Sequence, residues 1–444
     1  MADTKLTRTP SSSGSNTTWT FSCWLKRSTL GGDTVPWATG YTSPQIDEAM
    51  INIGSDDQLR FNIAINDSTD VTVQSSRKLR DTSAWYHIVV ACDTTQGTAS
   101  NRIKFYINGE QETNFSNTDY PTQGQSTFFG DTNKTHQIGI QPRSSNYLQG
   151  YMSHVAFVDG QALAPTVFGE TDSTSGIWKF KSPSGVTWGT NGFWLKFENS
   201  GALGTDSAGS NNFTVSGNGR QALDTPSNVY CVWNTAQKDA IPLLSRAATQ
   251  MARGGGDGHC TVIGTLGVNS GKWYYECKLD TAGSAANANS IGIVRVDSDA
   301  MKTSGHNAGD DSSADYFYCG GGEFQGVGGS GSYGNSFTSG DIIGIAFDLD
   351  NNKLYFSKNG TWQNSGVPTS GSTGTGAKSI TAGDFFVPAC GGYDGTIWRA
   401  NFGNGYFGTS AISSAGSNGN GSLFEYDVPS GYYALNTKNI NTYG

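Results

Sequence analysis

The sequence predicts an all-β protein made of two antiparallel β-sandwiches joined by a connector rich in glycine and serine. Short runs of residues alternate between apolar and polar side chains with a period of two, which is typical of strands with one buried face. Glycine accounts for 60 of the 444 residues, and glycine and asparagine adopt the positive φ that tight hairpins need. No apolar pattern with helical spacing separates these runs, which argues against a parallel α/β domain.

The first sandwich is predicted over residues 1–198. Its first strand pattern covers residues 19–26, where tryptophan, phenylalanine and leucine alternate with small polar side chains. Asn108 followed by Gly109 is a strong signal for a two-residue hairpin turn. Similar strand patterns follow at residues 50–53, 59–65, 85–92, 103–107, 137–140, 152–158 and 193–197.

The connector is predicted over residues 199–258, which are rich in glycine, serine, asparagine and aspartate and have little core of their own. The second sandwich follows over residues 259–403. Its strand patterns lie at residues 260–263, 272–279, 291–296, 316–319, 342–348, 353–358, 385–390 and 396–402. The last segment, residues 404–444, contains too many aromatic residues for a free tail, and we expect it to pack on a domain or on a partner.

Charge and composition exclude several classes of protein. The formal net charge of −9 offers no basic surface for a phosphate backbone, so we expect no nucleic-acid binding. No run of about 18 apolar residues predicts a membrane-spanning helix. Residues 1–5 lack the basic and apolar regions of a signal peptide, which indicates synthesis in a cytoplasm. Seven cysteines are isolated in the sequence, and most of them are predicted to be reduced core residues: Cys23, Cys92, Cys231, Cys260, Cys277, Cys319 and Cys390.

The sequence contains no motif for catalysis, a cofactor or a metal. Glycoside hydrolases place acidic pairs on either side of a sugar, and the nearest arrangement here is Glu110 and Glu112, which is more simply a solvated edge. Asp348 and Asp350 resemble the start of a calcium loop, but Lys353 stands where that loop needs glycine. We therefore predict a hairpin turn at residues 348–353 and no catalytic, cofactor-binding or metal-binding residue.

Two families resemble parts of the chain. Residues 19–24, 84–90, 105–109 and 150–157 resemble strands of laminin-G-like modules of the concanavalin type. Residues 271–276, 343–350, 354–360 and 385–389 resemble the signatures of a SPRY domain. These resemblances imply a concanavalin-type sandwich followed by a SPRY-like sandwich.

The connecting segments resemble those of structural proteins of tailed bacteriophages, particularly marine ones. The matching segments are residues 158–163, 168–171, 191–197 and 224–228. The resemblance implies a location in the virion, among other virion proteins, on either the tail or the capsid. Multivalent display gains avidity without new contacts, so we expect a homo-oligomer or many copies per particle.

Exposed aromatic rings are the sequence's one indication of a binding surface. Rings beside glycine-rich loops suit sugar stacking or protein contact, and in SPRY relatives such loops bind peptide segments of partners. The candidate binding residues are Tyr316, Phe317, Phe324, Tyr333, Trp362 and Tyr393.

The sequence thus predicts a non-enzymatic virion protein that attaches to a host-surface glycan or protein. The alternatives are a capsid decoration or head-fibre protein that does not bind the host and, more distantly, a glycan-degrading enzyme.

Overall fold

The computed structural model describes residues 4–40, 47–66, 68–142, 146–236, 242–256, 258–301 and 305–444. The chain divides into two compact units, Met1–Gln221 and Ala222–Gly444. Antiparallel sheets dominate both units, so the prediction of an all-β chain with two sandwiches is confirmed.

The first unit contains sixteen described strands and two short 3-10 turns. The strands are β1 (Lys5–Arg8), β2 (Thr18–Arg27), β3 (Thr34–Gly40), β4 (Glu48–Ile53), β5 (Gln58–Ile65), β6 (Ser68–Lys78), β7 (Tyr86–Asp93), β8 (Ile103–Ile107), β9 (Glu110–Gln111), β10 (Phe115–Asp119), β11 (Thr135–Ile138), β12 (Gly150–Asp159), β13 (Gly169–Thr171), β14 (Trp178–Phe180), β15 (Phe193–Leu195) and β16 (Thr214–Ser216). The 3-10 turns are Ala99–Asn101 and Pro165–Val167.

These strands form two sheets and one hairpin. The eight-stranded sheet has the order β10-β6-β5-β4-β3-β11-β1-β16, the six-stranded sheet has the order β15-β12-β2-β7-β8-β9, and β13 pairs with β14. Aromatic side chains fill the core, where Trp37 stacks on Phe129 with their ring centroids 3.8 Å apart. The predicted turn between β8 and β9 is confirmed, because Asn108 and Gly109 both have positive φ, 51° and 82°.

The second unit contains seventeen described strands, one helix and four 3-10 turns. The strands are β17 (Pro242–Ser245), β18 (Gln250–Arg253), β19 (His259–Ile263), β20 (Lys272–Thr281), β21 (Ser290–Arg295), β22 (Asp315–Cys319), β23 (Glu323–Gly326), β24 (Gly331–Ser332), β25 (Ile342–Asp348), β26 (Lys353–Lys358), β27 (Thr361–Trp362), β28 (Lys378–Ser379), β29 (Phe386–Tyr393), β30 (Ile397–Asn401), β31 (Tyr406–Phe407), β32 (Ser410–Ala411) and β33 (Tyr433–Ala434). The helix is α1 (Thr437–Tyr443), and the 3-10 turns are Ala286–Ala288, Asp299–Met301, Gln363–Ser365 and Pro368–Thr373.

A nine-stranded and a six-stranded sheet enclose the core of the second unit. The order of the first is β17-β18-β30-β20-β25-β26-β27, with β28 beside β26 and β33 beside β20. The order of the second is β19-β29-β21-β22-β23-β24. Trp233, Trp273 and Trp398 are fully buried between them. Trp273 and Trp398 lie in β20 and β30, where the strand pattern predicts a buried face, whereas Trp233 lies outside the described strands.

The structure divides the segment predicted as a connector between the two units. Phe213 belongs to the core of the first unit, while Trp233 and Met251 belong to the core of the second. Glycine- and asparagine-rich stretches separate these buried residues. The composition of residues 199–258 as a whole is therefore that of a linker, although single residues in it belong to the two cores. The segment serves as the last edge of one sandwich and the first edge of the other.

Residues 404–444 pack on the second unit. Phe424, Val428 and Tyr432 form a buried layer with Tyr274 and Tyr355 on the outer face of the nine-stranded sheet. The core therefore covers the inner face of this sheet, and the C-terminal segment covers the part of its outer face around Tyr274 and Tyr355.

All seven cysteines are buried and unpaired, as predicted. Burial raises the pKa of these thiols where a shift is resolved, as for Cys319, whose pKa rises to about 12. Within the described part of the chain, no helix is long and apolar enough to cross a membrane.

Candidate functional site

Most of the aromatic residues predicted to line exposed loops are buried. The exposed fractions are 0% for Tyr316 and Phe317, 1% for Phe324 and 4% for Tyr333. The expectation that these four rings form an exposed binding surface is therefore wrong. They are part of the packing of the second unit.

Strand β22 explains why the sequence is misleading here. Tyr316 points between the two sheets, where its ring lies 5.7 Å from that of Phe386. Phe317 points to the opposite face and packs in a second apolar layer with Ala300 and Ala308. A strand covered on both faces has no polar alternation, so its sequence is aromatic throughout and does not reveal which rings are exposed.

The other two predicted residues are partly exposed but lie on different sheets. Trp362 is in β27 and makes edge contacts with Tyr274 and Tyr355 at ring distances of 6.4 and 6.5 Å. Tyr393 ends β29 and packs against His259 at 4.8 Å. The structure does not bring the six predicted rings together into one site.

A serine–histidine pair on the first unit resembles a nucleophile and its base. Ser22 Oγ lies 2.9 Å from His87 Nε2, but the Trp178 indole N–H donates to His87 Nδ1 at 2.9 Å. The Nε2 atom must therefore carry the ring proton and donate it to Ser22. A general base needs the opposite tautomer, with Nε2 free to accept the hydroxyl proton.

Burial reinforces this conclusion. The pKa of His87 falls to about 3, chiefly because of burial and to a smaller extent because of the nearby His154. Gly109 and Gly169 leave room for the Trp178 indole, because a Cβ atom at either position would lie 2.5 Å from the ring. The pair is a packing feature of the six-stranded sheet.

We predict that Trp178→Phe destabilises the first unit by about 1–3 kcal/mol, because His87 Nδ1 loses its donor in a buried site. Chemical unfolding of the variant and the wild type measures the difference. Tyr106→Phe is the control, because it removes a hydroxyl group on the same face of the sheet without removing a hydrogen bond to His87. Equal stability of Trp178→Phe and wild type would contradict this account of the pair.

The acidic residues of the two segments that resemble a glycosidase pair and a calcium loop also have structural partners. Arg77 contacts Glu110 at 3.4 Å and Glu112 at 2.8 Å. Asp348 accepts hydrogen bonds from the backbone and side chain of Asn351 and pairs with Lys272, which confirms the hairpin turn predicted there. Among the residues that the structure describes, no group of three or more histidine, cysteine, aspartate or glutamate side chains is placed to hold a metal ion.

A polar surface that the sequence did not reveal covers the outer face of the eight-stranded sheet. We call it the amide face and define it by Asn52, Gln58, Arg60, Asn62 and Gln74. Its members alternate along β4, β5 and β6 with core residues, and the sheet register places Arg60 directly opposite both Asn52 and Gln74. Directly opposite residues project from the same face, so these side chains form one surface.

Hydrogen bonds connect the side chains of the amide face to one another and to Asp56. Asn62 donates to Asn52 Oδ1 at 2.8 Å, and both Arg60 and Gln74 donate to Asp56, at 2.7 and 2.8 Å. Burial alone would raise the pKa of Asp56, but the hydrogen bonds, chiefly that from Arg60, lower it below its ordinary value. Asp56 therefore stays ionised and orients the two donors.

The amide face has the chemistry of a sugar-binding surface. An amide side chain can donate and accept hydrogen bonds at once, which suits vicinal hydroxyl groups. Arg60 Nε is buried and has no hydrogen-bond partner in the described part of the chain. A Cβ atom at Gly54 would lie 2.5 Å from Arg60 Cζ, so glycine there allows the guanidinium to lie against the backbone.

Comparison with known families identifies two domains. Residues 2–167 match the "Concanavalin A-like lectin/glucanases superfamily" (Laminin_G_3), and residues 272–405 match the SPRY domain. The chain therefore contains a concanavalin-like domain followed by a SPRY domain, as the resemblances predicted. Domains of both kinds are typically non-catalytic binding modules. No curated protein sequence matches this chain.

Several solved structures of SPRY domains are similar to part of the chain. The SPRY domain of human HERC1 is 18% identical, with a TM-score of 0.28 over 36% of this chain and 91% of that one. The TRIM65 PSpry domain is 12% identical, with a TM-score of 0.30 over 38% of this chain and 91% of that one. A human SPRY domain is 17% identical, with a TM-score of 0.27 over 36% of this chain and 94% of that one.

Proposed function

We propose that this chain is a non-enzymatic structural protein of a tailed-bacteriophage virion, displayed on a fibre or surface projection, that attaches the particle to a host-surface glycan or protein. The observation that carries the attachment role is the amide face. It joins donors and acceptors from three neighbouring strands on the surface of a concanavalin-like domain. A rigid polar sheet face presents hydrogen-bonding groups with little loss of conformational entropy on binding.

Two further observations support the proposal. The chain pairs two domains of typically non-catalytic families, and its connecting segments resemble those of phage structural proteins. Charged residues make up only 15% of the chain, and we expect modest affinity per copy, which favours display in many copies beside other virion proteins.

The test of the virion role is to find the chain in purified particles. We expect mass spectrometry to detect it there and particle imaging to show paired β-sandwiches at the surface. Absence from the particles would overturn the proposal. Deletion that lowers capsid stability but leaves adsorption unchanged would favour the decoration alternative, and shortening of a host polysaccharide by the purified chain would favour the enzyme.

The test of the attachment role is competition for host cells. We predict that excess purified chain reduces phage adsorption, and that Asn62→Ala combined with Gln74→Ala weakens cell binding at least about tenfold, because each removes hydrogen bonds of the amide face. Gln96→Ala, an exposed loop amide of the same unit, is the control and should bind like the wild type. Unchanged binding by the double variant would exclude the amide face.

A further inference from the structure

A row of positively charged side chains crosses the outer face of the nine-stranded sheet. Arg399 of β30 lies directly opposite Gln250 of β18 on one side and Lys278 of β20 on the other. Trp398 and Leu279 are neighbours of these residues along the strands and point into the core. Gln250, Arg399 and Lys278 therefore project together from the outer face.

The turn between β17 and β18 adds a third cation. Arg246 Nε and Arg399 Nε both donate to Gln250 Oε1, at 2.7 and 3.0 Å. Arg246 also donates to Thr409 Oγ1 at 2.7 Å. We call Arg246, Gln250, Lys278 and Arg399 the arginine cluster. Two guanidinium groups share one neutral oxygen in it and are held side by side.

The cluster has too few negative charges of its own. Asp280 lies 2.8 Å from Arg399 Nη2, and in the described part of the chain no carboxylate forms an ion pair with Arg246 or Lys278. Three cations and one carboxylate leave a charge of +2 in a chain whose net charge is −9. Like charges directly opposite each other in a sheet destabilise it, so the arrangement is unfavourable without an anion. Burial is the main cause of the lowered pKa of Arg246; the charge of Arg399 lowers it further, and the charge of Asp280 opposes this.

The backbone that presents Arg246 is itself unfavourable. Arg246, Ala247 and Ala248 are three consecutive residues with positive φ, at 53°, 57° and 57°. Each non-glycine residue in this region costs about 1–2 kcal/mol. The turn is nevertheless fixed, because Thr249 Oγ1 donates to the Arg246 carbonyl at 2.6 Å and the Trp233 N–H donates to the Ala248 carbonyl at 2.8 Å. Strained backbone conformations that surrounding contacts maintain are common at ligand-binding positions.

The turn between β31 and β32 lies beside the stems of both arginines. A Cβ atom at Gly408 would lie 2.6 Å from Arg246 Cδ and 3.2 Å from Arg399 Cδ. Gly408 has a φ of 66°, which glycine adopts without strain. Both guanidinium groups are therefore held by fixed surroundings rather than swinging freely in solvent.

We propose that the arginine cluster binds the carboxylate or sulfate groups of an acidic polysaccharide. This inference rests on the proposed attachment role and names its substrate class. Paired guanidinium groups form bidentate hydrogen bonds with planar oxyanions, and Lys278 adds a point charge further along the row. A chain that repeats its anionic groups can follow the row across β18, β30 and β20.

The test uses the full chain and three probes: alginate for carboxylates, dextran sulfate for sulfates, and neutral dextran. We expect at least one anionic polymer to bind at about 50 mM salt, to bind more weakly at about 300 mM, and to outcompete neutral dextran. Arg246→Gln and Lys278→Gln should each weaken binding at least about tenfold. Asp280→Asn should strengthen it, because it removes a competing carboxylate.

Arg220→Gln is the matched control, because Arg220 is an exposed arginine of the first unit whose only hydrogen bond in the described structure is to the neighbouring Gly219 carbonyl. It should bind like the wild type. Binding of neither anionic polymer, or equal loss in Arg220→Gln and Arg246→Gln, would overturn the proposed site.

The same variants separate this site from the proposed function. Host-cell binding that survives Arg246→Gln would refute the arginine cluster as the attachment site and leave the attachment role in place. Cluster-dependent binding of an acidic polymer by a chain that is absent from virions would support the site and refute the virion role.

Discussion

Truncation of the chain after Gly403 will unfold the second unit. The removed segment contains five side chains that are at most 1% exposed, namely Phe424, Val428, Tyr432, Ala434 and Leu435. Loss of a single large buried side chain typically costs about 2–5 kcal/mol, and a whole domain is stable by about 5–15 kcal/mol. Removing the layer also exposes the aromatic face that it covers, including Tyr274 and Tyr355.

Calorimetry of the truncated chain is expected to lack the unfolding transition of the second unit. Trp37→Ala in the full chain identifies the transition of the first unit, because Trp37 is fully buried in that core. Truncation after Asn436 is the control, since it removes α1 but keeps all five buried side chains, and it should retain both transitions. A second unit that still unfolds cooperatively after truncation at Gly403 would show that the C-terminal layer is dispensable.

The packing of this segment could be predicted from the sequence because it depends only on composition. A tail with four aromatic residues in ten, such as residues 424–433, has more apolar surface than solvent tolerates. The strands of both sandwiches could be predicted for a related reason, since alternation is a local property. The sequence does not predict strand β6, because Val71 and Val73 are its only large apolar residues.

The candidate sites could not be predicted in the same way. Arg246, Lys278 and Arg399 lie far apart in the chain, and only the register of β18, β30 and β20 places them in one row. The aromatic residues of β22 are difficult to place for another reason. The sequence of a strand does not show whether a second layer of residues covers its outer face. Sheet register and layer number are properties of long-range pairing, and neither is encoded in a short window of sequence.

Glu276 holds the C-terminal layer in place from the centre of β20. Its side chain is fully buried, and its carboxylate accepts hydrogen bonds from the backbone N–H groups of Glu425 and Tyr426, at 2.8 and 2.9 Å, and from the Tyr274 hydroxyl at 2.9 Å. The pKa of Glu276 rises from 4.5 to about 7, chiefly because of burial, and the hydrogen bonds oppose that rise only in part. The nearby Glu425 carboxylate makes a smaller contribution to the same rise.

This raised pKa makes the second unit less stable as the pH rises. Between pH 4.5 and about 7 the folded state binds the Glu276 proton more tightly than the unfolded state does. The free energy of unfolding therefore falls across this window, by about 3 kcal/mol, and is constant for this group above it. Glu276→Gln does not titrate, so the variant lacks this part of the decline.

We predict that Glu276→Gln is less stable than the wild type near pH 4.5 by about 1–3 kcal/mol, because its amide N–H₂ faces a backbone donor. Above pH 7 the difference should have changed by about 3 kcal/mol in favour of the variant, which is then as stable as the wild type or more stable, because the wild type buries a charge that the variant lacks. Urea unfolding across the pH range measures both effects. His306, whose pKa is raised overall because the Asp315 carboxylate outweighs the opposing effect of burial, titrates in both proteins and cancels from the difference.

The control is Glu323→Gln, which changes a partly exposed carboxylate of the same unit and is expected to alter stability by less than about 0.5 kcal/mol. Parallel stability curves for Glu276→Gln and the wild type would mean that Glu276 keeps one protonation state throughout. The titration of Glu276 would then make no contribution to the pH dependence of the second unit. Convergence of the two curves between pH 4.5 and about 7 identifies the buried carboxylate as the polar anchor of the layer, because no other group contacts both Glu425 N–H and Tyr426 N–H in the described structure.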